Sequence, residues 1–448
     1  YWDQSKRVAR NEMEGGSTGR HANIQTRLTE PQGKIKNTEM GIKPPTHLTE
    51  PQGKLNILMF NHEFPPIGGG GGWVSHFLGK HFAAAGHEVH LITSQFRDCP
   101  ADEQVEGFHV HRVRALRKNP DVCAVHEMLT YAVSSSLYGL RFAKQFQPDI
   151  VQVFFGIPAG GGAYLLQKLR KVPYVVFLGG RDVPSRNPDP PYYRWLYLLL
   201  KPIIRAIWRN ASRVVACSEG LRELAQETDA DVKMDMIPDG LDLGRFEPVK
   251  RDVCPEKVRV LTIGRLIPRK GFQFLIRALP QIVEKAAHNF EIEIVGDGPY
   301  HGELLRLAEN LGVASHIHFT GSVPYSELPQ KYRDADIFTL PSLAEGMPLV
   351  VLEAMGTGLP IVASRVQGID ELVVEDVNGT LFNAGNVDGL AHALLKLINA
   401  GEGRVEMGKA SVERVKPYDW KHIADAYLSL YTDILEKDGG QPPAIGGQ

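Results

Sequence analysis

The chain has 448 residues, enough for two or three domains at roughly 150 residues each, and 43% are apolar and 23% charged, a globular composition. Lys and Arg number 50 against 52 Asp and Glu, and the formal charge of −2 gives no support to a nucleic-acid binder. The most apolar stretch, Trp195 to Trp208, is cut by Lys201, Pro202 and Arg205, well short of the roughly 18–20 unbroken residues a membrane-spanning helix needs.

Residues 1–54 form a polar arm in which Leu28-Thr-Glu-Pro-Gln-Gly-Lys34 recurs at Leu48 to Lys54. It offers too little apolar surface to offset the entropy of ordering, so a disordered spacer is expected; with no apolar h-region, it does not read as a secretory signal. Residues 438–448 read as a disordered tail. From Leu55 a regular pattern begins. Strands are expected at Leu55–Phe60, Glu88–Thr93, Phe108–Val113, Asp149–Phe154, Tyr174–Leu178 and Arg213–Cys217, with helices at His76–Ala85, Val133–Gln147 and Ala159–Arg170. After Ile237-Pro-Asp-Gly240 the alternation restarts. Strands are expected at Val258–Ile263, Glu291–Val295, His316–Thr320, Ile337–Leu340 and Ile361–Ser364, and helices at Gly271–Lys285 and Gly302–Leu311. Short apolar runs alternating with helices predict parallel sheets, and two such halves predict an α/β protein with two Rossmann-like domains facing across a cleft, 55–240 and 241–420. A last helix, 421–437, is expected to return to the first domain. Four scattered cysteines, Cys99, Cys123, Cys217 and Cys254, fit reduced thiols and a cytoplasmic setting.

The strongest chemical signal runs from Pro341 to Pro360. A strand enters a loop holding Glu345 and Gly346, and Pro348 is placed in the first turn of a helix, so that the amides of Gly346, Met347 and Leu349 form an anion-binding helix start. Glu353, about a turn and a half further, is suited to neutral hydroxyls. Two carboxylates beside an anion site suit a ligand that mixes charge with hydroxyls, as a nucleotide sugar does. In Ile263-Gly264-Arg265-Leu-Ile-Pro268-Arg269-Lys270-Gly271, the cations Arg265 and Lys270 lie beyond a strand end, placed for a pyrophosphate; Arg269 reads as a solvated turn residue. The glycines 68–72, including Gly70, Gly71 and Gly72, read as a loop that lets backbone approach a phosphate or a sugar. Gly296-Asp-Gly-Pro299 lacks the third glycine of a dinucleotide loop and reads as a tight turn lining the cleft. The DxD phrases Asp334–Asp336 and Asp229–Asp231 lack companion oxygen ligands, so no metal and no cofactor are expected.

Taken together, Glu345…Glu353, Gly264-Arg265…Lys270-Gly271, Gly296–Pro299, Phe319-Thr-Gly-Ser-Val323-Pro324, Ile237–Asp242 and the glycine loop resemble the retaining nucleotide-sugar glycosyltransferases of the GT-B fold, group one or family four. The resemblance spans Leu55 to Lys437. It implies that 55–240 is an acceptor domain and 241–420 a donor domain. It also implies catalytic roles for Glu345, Arg265 and Lys270, the two cations and the amides after Glu345 holding diphosphate and sugar. Glu353 would accept ribose hydroxyls, backbone near Val323 would meet the base (UDP or GDP), and Gly70, Gly71, Gly72, Gly264, Gly296, Gly346, Met347, Pro348 and Leu349 would line the donor. Many relatives carry a histidine where this chain has Gly179, and Arg181 or Asp182 is the candidate replacement contact to sugar or acceptor. In the join, Asp239 stands where asparagine is usual. The resemblance implies front-face transfer with retention; as a separate reading, no carboxylate pair is poised as nucleophile and acid as in glycosidases.

Two other classes fit the same residues less well: a non-catalytic nucleotide-sugar binding module, and a sugar-nucleotide epimerase or phosphorylase on this fold. A nicotinamide oxidoreductase fits least. The acceptor, whether carbohydrate, lipid-linked or small molecule, is not encoded in any legible motif. Tyr192, Tyr193, Trp195 and Tyr197 with Lys201 and Arg205 fit either peripheral contact with the inner membrane face or core packing, and core packing is the favoured expectation.

Overall fold

The computed structural model describes residues 53–120, 123–180, 182–184 and 193–437; residues 1–52 of the repeated arm, the tail, Arg181 and Tyr192 lie outside them. The strands of the first half are β1 (Asn56–Phe60), β2 (Glu88–Ser94), β3 (Asp102–Val105), β4 (Phe108–Val113), β5 (Ile150–Phe154), β6 (Tyr174–Leu178), β7 (Arg213–Ala216) and β8 (Met234–Met236). They form one sheet in the order β3-β4-β2-β1-β5-β6-β7-β8, parallel throughout except for the pair β3–β4. In the second half β9 (Val258–Ile263), β10 (Phe290–Val295), β11 (Ile317–Gly321), β12 (Ile337–Leu340), β13 (Ile361–Arg365) and β14 (Gly379–Asn383) form an all-parallel sheet, β11-β10-β9-β12-β13-β14.

Central strands such as β5 and β6 are buried at every position, which explains why, Gln152 apart, they are made of Val, Ile, Leu, Phe and Tyr: helices cover both faces. The principal helices of the first half are α1 (Gly70–Ala84), α2 (Val125–Phe146), α3 (Gly156–Arg170), α4 (Tyr193–Asn210) and α5 (Glu219–Thr228). Those of the second are α6 (Phe272–Lys285), α7 (His301–Asn310), α8 (Leu328–Asp334), α9 (Leu349–Gly356), α10 (Val387–Ile398), α11 (Glu402–Val415) and α12 (Trp420–Lys437). On α6, Phe272, Leu275, Ile276, Leu279 and Ile282 recur at helical spacing and fill the second core together with Ile292, Ile294 and Leu394. The final helix α12 returns to the first half, where the Tyr431 hydroxyl donates to Gln152 Oε1 at 2.7 Å in the core beside β5.

In each sheet the strand order reverses direction once, between β1 and β5 and between β9 and β12, and strand-end loops at such points form ligand crevices. Three local expectations are corrected. Helix α1 starts at Gly70, so Gly70, Gly71 and Gly72 form its first turn rather than a loop. Helix α2 begins at Val125, a full two turns before the expected start. On α4 only Ile204, Ile207 and Trp208 enter the core, whereas Trp195, Leu198, Leu199 and Ile203 are exposed, so core packing does not account for the amino half of that helix. All four cysteines are free thiols. No helix among the described residues is long and apolar enough to cross a membrane.

Candidate functional site

The loops after β9 and β12 interlock. Lys270 closes a single 3₁₀ turn, Pro268–Lys270, and Gly271 follows at φ +76°, where an added Cβ would lie 1.8 Å from the Pro341 carbonyl oxygen. Only glycine permits that approach, and it brings Lys270 Nζ to 2.7 Å from Glu345 Oε1. Burial acts to raise the Glu345 pKa, but the charges of Lys270 and Arg269 and the hydrogen bond from Lys270 outweigh it and hold the carboxyl below its ordinary value. Arg269 thus adds charge at the site, and its carbonyl accepts from the Leu343 amide at 2.8 Å; it is more than the solvated residue the sequence suggested. Pro348 is the N-cap of α9, one residue outside the expected first turn, and the helix starts at Leu349. Gly264 and Gly296 pack backbone to backbone. Gly296, at φ +134°, would drive a Cβ to 2.0 Å from the Gly264 carbonyl oxygen, which is why this turn follows β10 so tightly.

Glu353 is buried one turn into α9 and accepts the Tyr332 hydroxyl at 2.7 Å. Burial pushes its pKa up to about 7, against the opposing hydrogen bonds from Tyr332 and Tyr325. Its carboxylate therefore does meet hydroxyls, supplied here by the protein's own phenols. Val323 lies in the loop between β11 and α8, two residues before Tyr325.

Across the cleft, the first turn of α1 faces these loops. A Cβ on Gly69 would sit 3.3 Å from Arg265 Nη2, and one on Gly70 would sit 3.5 Å from Leu349 Cδ1. Arg265 also helps lower the pKa of Glu63, which burial alone would raise, together with His62 and Arg117. The Glu63 carboxylate in turn accepts the Gly69 amide at 3.2 Å. Trp73 of α1 stacks on Tyr325, with ring centroids 4.0 Å apart. Gly346 reaches the opposite sheet too: its Cβ position is 2.8 Å from the Gly179 carbonyl oxygen.

The loop after β6 departs from expectation. The Asp182 carboxylate accepts the amides of Gly179 and Gly180 at 3.0 Å and of Gly156 at 3.1 Å. Buried and held by three amides, it shapes the loop instead of reaching for a sugar, and burial still pushes its pKa up to about 6. Gly179 explains the absent histidine. A Cβ there would lie 2.3 Å from the Phe155 ring, and one on Gly71 would lie 2.1 Å from the same ring. Phe155 is held at φ +68° at the end of β5, a strained conformation that wedges the ring between two glycines. Sequence reasoning missed Phe155, His62 and Glu63, although all three directly follow strands at the reversal point of the first sheet. His62 packs edge-on against Phe155, and burial lowers its pKa to about 4, so it is neutral at physiological pH. In the join, Asp239 is buried and burial pushes its pKa up to about 8, an effect an asparagine would not show.

Among the described residues one group could hold a metal ion: Glu88, His90 and His109, with ligand atoms within 4.8 Å of one another. It lies at the amino ends of β2 and β4, whereas the reversal-point loops lie at the carboxyl ends of the strands.

The family described as glycosyl transferases group 1 matches residues 246–414, and a glycosyl transferase 4-like domain matches 69–240. The chain is 28% identical over 401 residues to the GDP-mannose-dependent alpha-(1-6)-phosphatidylinositol monomannoside mannosyltransferase of Mycobacterium tuberculosis, covering 85% of this chain and 98% of that protein. It is 29% identical over 356 residues to a sulfoquinovosyl transferase of Arabidopsis thaliana, covering 76% of this chain and 66% of that protein. Sucrose-phosphate synthase from Thermosynechococcus elongatus shares its fold, with a TM-score of 0.74 at 21% identity over 85% of this chain and 99% of that one. With both halves matched, and with twin parallel sheets joined in this order, the chain belongs to the group 1 glycosyltransferases and has their GT-B fold.

Proposed function

We propose that this glycosyltransferase moves a sugar from a nucleoside-diphosphate sugar, with UDP or GDP as the carrier, to an acceptor hydroxyl with retention of anomeric configuration and without a metal ion. The observation that carries the reading is the Lys270–Glu345 pair at 2.7 Å, set between the β9 and β12 strand ends and beside the start of α9. A diphosphate entering there would exchange the carboxylate for its own charge on Lys270, with Arg265 and the α9 amides as further donors. Glu345, released from Lys270, would accept sugar hydroxyls, and Glu353 would accept those of the ribose. The GDP-mannose dependence named for the mycobacterial relative favours a nucleotide-sugar donor.

In the reaction the bond from the anomeric carbon to the leaving phosphate oxygen breaks and a bond to the acceptor oxygen forms on the same face. The acceptor proton passes to the departing diphosphate. Arg265, Lys270 and the helix amides stabilise the charge that grows on that group. The acceptor is a carbohydrate, lipid-linked or small-molecule hydroxyl, reached from the cytoplasm or from the inner face of a membrane. Incubation with a panel of nucleoside-diphosphate sugars, followed by NMR assignment of the product's anomeric configuration, tests the reading. An inverted product would refute retention, and no turnover or release of nucleotide from any donor would refute transfer. Undiminished rates after full chelation of divalent ions are expected.

A further inference from the structure

We propose that the amino-terminal halves of α2 and α4 form a face that docks on an anionic lipid bilayer and presents the cleft to an acceptor held there. On α4, Trp195, Leu198, Leu199, Pro202 and Ile203 recur at i, i+3, i+4, i+7 and i+8, so they form one stripe along the helix. That stripe points away from the core: Trp195 is 76% exposed, Leu198 58%, Leu199 75% and Ile203 53%. The opposite stripe, Ile204, Ile207 and Trp208, is the one that packs on the sheet. Helix α2 repeats the arrangement with Leu129, Val133 and Leu137 at i, i+4 and i+8, exposed by 64%, 53% and 65%. Helix α3 packs between α2 and α4. A single exposed leucine is ordinary, but two outward stripes on the helices that flank α3 are apolar surface that a monomer in water does not keep without use.

Charge selects the occupant. Across α2, α3 and α4 the only acidic residue is Glu127, and it is buried, its carboxylate taken by the amides of Lys118 and Ala124. The amino-terminal half of α4 carries Arg194 and Lys201, whereas Arg141, Lys144, Lys168, Arg170 and Arg209 lie towards the other end of these helices. Arg205 and Arg209 lean on Asp229, at 3.9 and 2.6 Å. Arg194, Lys201 and Arg205, spaced i, i+7 and i+11, run along one flank of the α4 stripe. An apolar stripe flanked by cations, with a tryptophan at its end, is the chemistry of a helix lying in the headgroup region of an anionic leaflet. An acidic protein partner would meet the cations but would not require the wide apolar stripe.

Topology gives the face its purpose. Helices α2 and α4 follow β4 and β6 and run back antiparallel to them, so their amino-terminal halves lie at the carboxyl ends of the strands, the end where the cleft opens. The inference rests on the glycosyl-transfer reading for its acceptor and not for the docking itself.

The test is co-sedimentation of the full chain with vesicles of phosphatidylcholine alone or with roughly a third phosphatidylglycerol, at low and high salt. Anionic vesicles are expected to bind the chain at least about tenfold more strongly than neutral ones, and salt is expected to weaken that binding. Leu198→Asp with Leu199→Asp should lower the partition by about tenfold or more at both salt levels. Arg194→Glu with Lys201→Glu should lower it mainly at low salt. Both pairs should keep the parent's melting temperature and its turnover of donor with a soluble acceptor. Equal binding to neutral and anionic vesicles, or none, would overturn the proposal. So would self-association in lipid-free solution that the leucine pair abolishes, which would make the face a protein interface. Vesicle binding by a chain that consumes no donor would uphold docking and overturn the transfer reading instead.

Discussion

The two walls of the cleft are built on different physics. On the donor side the strand ends carry Lys270, Glu345 and Arg265, and Lys270 is held by an ion pair within a charged network. On the facing side the strand ends carry Gly69 to Gly72, Phe155 and Gly179, held by ring packing and by the amides around Asp182. A charged network can exchange one partner for another, so under the proposed reading this wall would take a diphosphate by displacing a carboxylate without rebuilding the loops. A packed ring has no such substitute. Under the proposed transfer reading, the facing wall would select its ligand by shape, and selection by shape leaves no motif in the sequence.

The largest expected effect comes from breaking the charged wall. Arg265→Ala and Lys270→Ala should each lower kcat/KM by about 10²–10³-fold, the usual loss when one donor to a developing anion is removed from a closed site. Lys270→Ala also leaves Glu345 buried beside a cation short, so its melting temperature should fall, while Lys270→Met with Glu345→Gln should recover the stability and not the rate. Steady-state kinetics with thermal melts separate the two, and a rate restored in the double variant would remove Lys270 from the chemistry.

The packed wall should break by crowding. In Gly179→His the new Cβ would fall 2.3 Å from the Phe155 ring, an overpacking expected to cost about 1–3 kcal/mol. Phe155→Ala in the same chain should recover most of that loss by vacating the space. Denaturant melts of the single and double variants measure the coupling. Additive effects would mean that Phe155 does not hold the histidine's place.

The contrast also marks how far the sequence could be read. The parallel sheets were legible because β5, β6, β9 and β12 are short, apolar and bounded by turns, and Arg265, Lys270, Glu345 and Gly346 were legible because each follows such a strand. Strand β3, Asp-Glu-Gln-Val, was not, since an edge strand with exposed acids shows no apolar pattern. The start of α1 was hidden because three successive glycines have the lowest helix propensity after proline, and tertiary packing against Phe155 and Leu349 overrides it. Phe155 carries no motif at all. Its role arises from two glycines, Gly71 and Gly179, that are far apart in the chain and meet only in the folded cleft.

Between the walls, Glu353 should give the site a pH dependence of intermediate size. Burial raises its pKa to about 7 in the donor-free protein, while ribose hydroxyls would donate to the ionised form. Donor binding should therefore tighten as pH rises towards about 7 and then level off, with up to about a tenfold weakening from pH 7 to pH 6. The effect on stability has its own sign. A carboxyl whose folded pKa is raised binds its proton more tightly when folded, so its contribution is lost as pH rises from its ordinary value of 4.5 to about 7. Calorimetric donor affinities across this range should slope for the parent chain and stay flat for Glu353→Gln. A slope that survives the substitution would assign the titration elsewhere.

The smallest effect concerns the clasp between the walls. Trp73 at the start of α1 stacks on Tyr325 of the donor half at 4.0 Å, and Phe77, one turn on, lies 6.1 Å from the same ring. An aromatic pair is worth about 0.5–1.5 kcal/mol beyond its buried area, enough to bias the halves towards closure and too little to lock them. Trp73→Ala should therefore raise amide hydrogen exchange in the first turns of α1 by about two- to tenfold and lower the transfer rate by a similar factor, while nucleotide release without transfer rises as water enters. Tyr325→Phe should preserve the stack, the exchange pattern and, at saturating donor, the transfer rate. Since Tyr325 also donates to Glu353, the same variant removes one of the opposing hydrogen bonds on that carboxyl, so its donor-affinity profile should shift towards higher pH while its exchange rates stay put. A parent-like exchange pattern in Trp73→Ala would mean that the halves are held together elsewhere, through α12 and the join, and that the ring pair only lines the cleft.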